Sequence, residues 1–275
     1  MLVILTRRTM KFGQDDMGIL LEQLPFTTNA ISSILEYPER TEVFTLKLSG
    51  KKAYIVEFKS EYNPHIWYSP ILWLFPTSND LDELKIMLKN AIQRNTSFVA
   101  LAPVSYSNDS ISIPNLRIYR EKLLQKITST RNIVNSRFNI RKLDESDAEQ
   151  SIILSSTVEP NSIMCCPLKS ERLFLLERET YGIYIDDILI SRGSIMARVQ
   201  NYSSVGGFVT HPNYRKMGFA SALVGYICNL VQDRGQIPFL TVREDNFTAL
   251  SLYTKLGFED KGELLFIDYN SGVIP

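Results

Sequence analysis

From Val205 to Ala220 the chain reads Val-Gly-Gly-Phe-Val-Thr-His-Pro-Asn-Tyr-Arg-Lys-Met-Gly-Phe-Ala, an apolar strand that runs through a turn toward a helix expected to start near Arg215. The N-terminus of a helix leaves about four amides unpaired and carries a partial positive charge of about half a unit, so it attracts anions. Arg215 and Lys216 add full charges there. Gly218 has no side chain where a pyrophosphate would touch the backbone, and the small Ala220 keeps the next turn clear. The chemistry implied is the gripping of a diphosphate; the bland alternative is a plain strand-turn-helix with a surface arginine. A Walker loop would need Gly-Lys-Ser/Thr and a dinucleotide site would need Gly-x-Gly-x-x-Gly, and neither pattern is present.

Such a turn needs a strand before it and helices after it. Phe219, Leu223, Ile227, Leu230 and Val231 recur at helical spacing between Lys216 and Asp233, giving one buried face in spite of about 1 kcal/mol lost at Gly225. Phe239 to Val242 reads as a buried strand. Asn246 opens a second helix with Ala249, Leu252, Tyr253 and Leu256 on one face, Gly257 ends it, and Leu264 to Tyr269 closes the sheet. Upstream, Phe138 to Leu143 reads as a strand, followed by helices near Asp147 to Ser155 and Ser170 to Arg178. A meander of strands follows at Tyr181 to Ile185, Ile188 to Ala197 and Ser203 to Val209, with Asp186-Asp187 as a tight turn.

The first half shows the same order with different residues. Helices are expected near Gln14 to Gln23 and Thr28 to Glu36, strands at Val43 to Leu48, Ala53 to Phe58 and Ile71 to Phe75, a helix from Asp80 to Arg94, a strand from Phe98 to Leu101, and a helix from Asn115 to Ile127. The parallel suggests a duplication with diverged sequence. Residues 126 to 137 are polar and aperiodic, so a linker is expected there, between domains at 1–130 and 137–275.

Arg215-x-x-Gly218-x-Ala220, preceded by a strand ending in His211-Pro212 and followed by Asn246-x-x-Ala249-x-x-Leu252-Tyr253-x-x-x-Gly257-Phe258, resembles the GNAT superfamily of acyl-CoA-dependent N-acetyltransferases over about 60 contiguous residues. The resemblance implies an α/β (α+β) fold: a mixed, mostly antiparallel sheet flanked by helices, here in two tandem GNAT-like domains of which the first is degenerate and lacks the CoA loop, as in the glycine N-acyltransferase-like arrangement. It implies acetyl-CoA or another acyl-CoA as co-substrate. The amides of Lys216, Met217, Gly218, Phe219 and Ala220 would hold the pyrophosphate beside Arg215, and the backbone of Phe208 and Val209, with Thr210 next along, would pair with the pantetheine arm as though it were a strand. Gly206 and Gly207 fit a bulge that parts two strands for that arm. Asn246 would cap its helix and bond to the arm, beside Ala249. Tyr253 would give a proton to the departing thiolate; its alternative reading is a core tyrosine. The Ser203 to Val209 strand carries no carboxylate, which leaves the general base open; Glu177, Glu179, Tyr181 and Ser204 are candidates better read as structural. His211 is better read as a turn element than as a base.

The rest of the chain bounds the reading. Thirty basic residues balance thirty acidic ones among 275, so no global field recruits nucleic acid or an anionic membrane. Met1 to Leu5 is too short an apolar run for a signal peptide or a span, and a cytoplasmic address is expected. Cys165, Cys166 and Cys228 have neither disulfide nor metal spacing, so no metal is expected. In the first half Phe75-Pro76 leads to Asp80, Asp82 and Glu83, carboxylates that would repel a diphosphate. The aromatic run Tyr62, His65, Trp67, Tyr68, Trp73 and Phe75 reads as core or as the wall of an acceptor pocket. The expected reaction is transfer of an acetyl or short acyl group from CoA to a primary amine of a small molecule or peptide, in a ternary complex, by a monomer or homodimer. The alternatives are a non-catalytic acyl-CoA-binding or sensing module and an assembly scaffold with a vestigial site.

Overall fold

Phe44, Leu46 and Leu48 fall at every second residue, which in an extended chain places all three on one face. Ala53 and Ile55 continue that face on the next strand, and together they form a buried core with Leu84, Met87 and Leu88 of the helix that crosses it. The computed structural model describes residues 6–8, 14–48, 50–59, 70–77, 81–95, 97–102, 111–127, 138–158 and 168–270. The described residues up to 123, together with 262–270, form one compact unit, and the described residues from 124 to 261 form the other.

The N-terminal unit runs β1 (Thr6–Arg8), α1 (Gln14–Leu21), α2 (Thr28–Glu36), β2 (Thr41–Leu48), β3 (Lys51–Phe58), β4 (Ile71–Phe75), α3 (Leu81–Arg94) and β5 (Ser97–Ala102). β6 (Leu116–Lys126) follows and its residues divide between the units. The C-terminal unit runs β7 (Ile140–Lys142), α4 (Ala148–Ser156), α5 (Leu168–Glu177), β8 (Glu179–Ile185), β9 (Ile188–Val199), β10 (Tyr202–Thr210), α6 (Phe219–Asp233), β11 (Ile237–Arg243) and α7 (Phe247–Lys255), before β12 (Phe258–Asn270). The strand order β1-β2-β3-β4-β5 of the first unit is repeated as β7-β8-β9-β10-β11 in the second. Pairing is antiparallel throughout both series except between β4 and β5 and between β10 and β11, which are parallel. The repeated path that the order of elements suggested is therefore present in the pairing as well. In the first unit β12 completes the series by pairing antiparallel with β5.

Two expectations are corrected. Residues 115–127 are not helical: Leu116–Lys126 is a strand alongside β12. The segment is rich in Arg, Glu, Lys, Leu and Gln, all good helix formers, and a propensity of a few tenths of a kcal/mol per residue yields to sheet pairing. Arg120 donates to Glu263 at 2.8 Å and Tyr119 packs against Phe266 across the pair. Lys126, expected to open the linker, is the fully buried end of this strand, and its ammonium donates to the Leu256 carbonyl at 2.6 Å. The remaining linker residues, 128–137, lie outside the described residues, as do Cys165, Cys166, Asp80 and the aromatic run up to Tyr68. Trp73 and Phe75 are buried in β4.

In the C-terminal unit, neighbouring residues of β10 face opposite sides. Phe208 joins the cluster formed with α6, and Val209 joins the cluster formed with α4 and α5. β7 is tied to the start of α4 by Asp147, which accepts from both terminal guanidinium nitrogens of Arg141 and from the Tyr184 hydroxyl at 2.7 Å. Burial alone would raise the Asp147 carboxyl, but these donors outweigh it and hold it below its ordinary 3.8. A depressed carboxyl stabilises the fold fully above the unfolded value and loses that contribution as pH falls through the folded one. Asp147→Asn is therefore expected to melt lower than wild type at pH 7, with the gap in melting temperature, read by circular dichroism, closing toward pH 3. A gap that stays constant with pH would refute the assignment. Among the described residues no helix is long and apolar enough to cross a membrane.

Candidate functional site

The site begins where β10 leaves its neighbours. β10 pairs in parallel with β11 only at Tyr202, Ser203 and Ser204, although β10 continues to Thr210 and β11 to Arg243. On its other edge the register with β9 shifts twice, between Ser204 and Val205 and again between Gly206 and Val209. Gly207 adopts φ 64°, a left-handed conformation that glycine reaches without strain. These shifts are a bulge that bends β10, so the edge of residues 205–210 facing β11 has no strand partner among the described residues. Phe208, Val209 and Thr210 lie along that edge. The edge of the Phe208 ring lies against Gly193, where an added Cβ would come within 2.3 Å of it.

Beyond Thr210 the chain turns sharply. The His211 imidazole accepts from the Asn213 amide through Nδ1 at 3.2 Å and caps a single 3₁₀ turn, Pro212–Tyr214, so His211 serves the turn. Arg215 folds back, with Nε donating to the Thr210 carbonyl at 3.2 Å. Lys216 at φ 63° and Gly218 at φ 91° are both left-handed, and Gly218 is the N-cap of α6 with no side chain to close it. The helix thus starts at Phe219, later than the expected Arg215, because a right-handed helix cannot pass through two left-handed residues. Arg215, Lys216, Met217 and Gly218 are all exposed, Ala220 is half-buried, and Phe219 turns into the core. Alternating backbone hand at the end of a helix gathers amides into a concave, anion-attracting nest. Met217 and Phe219 also border a cavity of about 380 Å³ with Phe138 and Tyr184.

α7 supplies the remaining residues. The Asn246 side chain caps it, accepting from the Ala249 amide at 3.2 Å. Two turns on, Tyr253 is 8% exposed, packed between Phe208 and Phe258 at ring separations of 6.4 and 5.6 Å. Burial first and the nearby Cys228 second push its phenol up to about 12. Its hydroxyl has no hydrogen-bond partner among the described residues. Tyr253 is thus a core ring whose hydroxyl is unengaged among the described residues, and it packs beside Phe208. Buried Lys126 sits at the C-terminal carbonyls of the same helix, a favourable place for a cation, and burial lowers its affinity for the proton.

The carboxylate candidates lie elsewhere. Glu179, at the opposite end of β8 from the turn, pairs with Arg198 at 2.6 Å and Arg234 at 2.8 Å and accepts from Tyr181 at 3.2 Å. Burial would raise it, but the hydrogen bonds from Arg234 and Arg198 prevail and hold it below the usual range, which makes it a weak base. Glu177 ends α5, and Ser204 is buried in β10. Among the described residues no group of three or more His, Cys, Asp or Glu converges as a metal site.

One cluster went unnoticed in the sequence. Arg192, on β9 opposite Val209, is buried and donates to Glu171 of α5 and to Ser151 and Ser155 of α4. It ties both helices to the strand beside the bulge. A lone arginine in the apolar stretch Ile188 to Ala197 was the only available signal. In the N-terminal unit Glu83, in the first turn of α3, is buried and accepts from the Thr77 amide at 3.0 Å, while Asp82 is exposed.

Residues 181–267 match the family model described as FR47-like protein. No curated protein matches the chain in sequence. Solved structures do match it along nearly its whole length. A candidate acetyltransferase of the GNAT family from Novosphingobium aromaticivorans is 20% identical with a TM-score of 0.60, covering 90% of this chain and 99% of that one. A GCN5-related N-acetyltransferase-like protein from Streptococcus suis is 16% identical with a TM-score of 0.58, covering 93% and 98%. A tandem GNAT protein from the clavulanic acid biosynthesis pathway, solved without AcCoA, is 12% identical with a TM-score of 0.59, covering 99% and 100%. With its mixed, mostly antiparallel strands, flanking helices and strand order run through twice, this chain has the α+β fold of the GNAT acetyltransferases.

Proposed function

We propose that the protein is an N-acyltransferase that takes an acetyl or short acyl group from CoA and passes it to a primary amine of a small molecule or peptide by direct attack in a ternary complex. The observation that carries this reading is the parting of β10 from β11 after Ser204, which leaves an unpaired strand edge leading to the open N-terminus of α6 at Gly218. An extended amide-bearing arm can add to that edge, and paired phosphates can accept from the amides of residues 216–220. Lys216 and Arg215 supply the countercharge. Gly218 is exposed at φ 91° and puts no side chain over these amides, so the residues present fit a diphosphate.

The thioester supplies an activated acyl group, and the protein's part is to hold it, orient it and serve the leaving sulfur. A main-chain amide at the bulge would polarise a carbonyl seated there. Tyr253 stays protonated throughout the neutral range because its phenol lies near 12, far above the roughly 8.5 of a thiol. It therefore acts on a developing thiolate mainly as a hydrogen-bond donor, with full proton transfer uphill. Tyr253→Phe is expected to lower kcat about 10- to 100-fold and to leave CoA affinity within about twofold. Thiol release and calorimetric titration measure the two quantities, and an unchanged kcat would return Tyr253 to the core alone. Deprotonation of the amine is assigned to water. In the first domain the buried Glu83 carboxylate, at the start of α3, accepts from the Thr77 amide, which supports reading that domain as degenerate and without a cofactor.

A second reading is a non-catalytic acyl-CoA sensor, favoured by the lack of any carboxylate on β10. CoA binding followed by free-thiol release from acetyl-CoA against a panel of amines separates the two. Binding with release for at least one amine supports the enzyme, binding without release supports the sensor, and no binding defeats both.

A further inference from the structure

We propose that the N-terminal unit carries a second small-molecule site, which takes a monocarboxylate with an apolar body. A cavity of about 410 Å³ opens at the end of β4 beside α1, within the size range of small-ligand pockets. Ile19, Phe75 and Pro76 give it apolar walls, while Gln23, Lys51 and Lys52 bring polar groups to it. Below them lies a built polar floor. Asp16, 6% exposed, accepts from the Lys52 ammonium at 2.7 Å and from the Tyr54 hydroxyl at 2.7 Å. Lys52 and Tyr54 share one face of β3 by strand alternation, so the register that buries Ile55 on the other side also brings both of them to Asp16.

The Tyr54 side chain ends at Asp16, and the space beyond it, toward Ile19 and Phe75, is the cavity.

Its chemistry selects the ligand. Lys52 has two further donors beyond the one held by Asp16, and the side chains of Lys51 and Gln23 have no hydrogen-bond or ion-pair partner among the described residues. The described lining thus sets two ammonium groups against one carboxylate. A single negative charge is matched by that balance, whereas a dianion would be repelled by Asp16 and a cation by the lysines. The apolar walls require a body that fills them, which excludes a bare inorganic ion.

The test uses the full chain and fluorine NMR with 4-fluorobenzoate as the probe, compared with 4-fluorobenzyl alcohol, 4-fluorobenzylamine and inorganic phosphate. Saturable binding of the benzoate is expected, with the alcohol and the amine weaker by about tenfold or more. Lys51→Glu is expected to weaken the benzoate about tenfold by reversing the charge at the mouth, and Ile19→Trp to block it by filling the cavity. Both positions are exposed, so melting temperature and CoA binding should be unchanged. Absence of saturable binding, wild-type affinity in both variants, equal affinity for phosphate, or displacement of the probe by CoA would each overturn the proposal.

Discussion

Gly218→Glu is expected to reduce CoA affinity by at least about 100-fold, equivalent to about 2.7 kcal/mol, with the protein still folded. Three effects act in the same direction. The residue sits at φ 91°, where a side chain costs about 1 kcal/mol or more. The new side chain fills the one place where the backbone of the turn is bare. Its carboxylate also lies at the open end of α6, where it would satisfy the same amides and repel a diphosphate. That capping is itself favourable to the helix, so loss of binding without loss of structure is the distinguishing result. Gly218→Asn is the control, because asparagine tolerates the left-handed region and brings no charge; it should lose only a small part of the affinity. Calorimetric titration with CoA and a thermal melt of each variant give the answer. Wild-type affinity in Gly218→Glu would remove the turn from the site.

Arg192→Ala should give the largest loss of stability. It would strand Glu171, 1% exposed, as an uncompensated buried charge beside two serines that also lose their donor. Breaking a buried ion pair from one side costs about 3–5 kcal/mol, which lowers a melting temperature by about 10 °C in a protein of this size. The double replacement Arg192→Met with Glu171→Met should recover much of that loss, because the desolvation cost of both charges disappears with them. A double-mutant cycle read by denaturant unfolding checks the coupling. If the two single losses simply add, the buried pair is not the linchpin between α4, α5 and β9. The same variants bear on the site, since this pair fixes the strand carrying Gly193, on which the Phe208 ring rests.

Much of the architecture could be read locally. The apolar spacing of Phe219, Leu223 and Ile227 marked α6, and Asn246 and Gly257 marked the two ends of α7, because caps and helical faces are set by residues within a turn of one another. Gly206 and Gly207 announced an irregular strand in the same way, and the paired glycines do coincide with the shifts in register. The turn at Arg215 to Gly218 was visible as an anion-friendly sequence, but its left-handed Lys216 was not. No propensity selects a lysine for φ 63°; the hand is imposed by the helix and strand it must join.

What the sequence determined by itself was therefore the short-range grammar: which stretches bury a face, where helices start and stop, and where a backbone lacks side chains for an anion to approach. The tertiary structure alone decided whether residues 116–126 form a helix or a strand, since their helix-forming side chains are overruled by partners such as Glu263, 143 positions away from Arg120. It also decided the burial of Lys126 against a carbonyl 130 positions away and the meeting of Arg192 with Glu171. The physical reason is that a helix completes its hydrogen bonds within its own segment, whereas a strand and a buried charge are completed by distant residues, and distant partners leave no periodic trace along the chain.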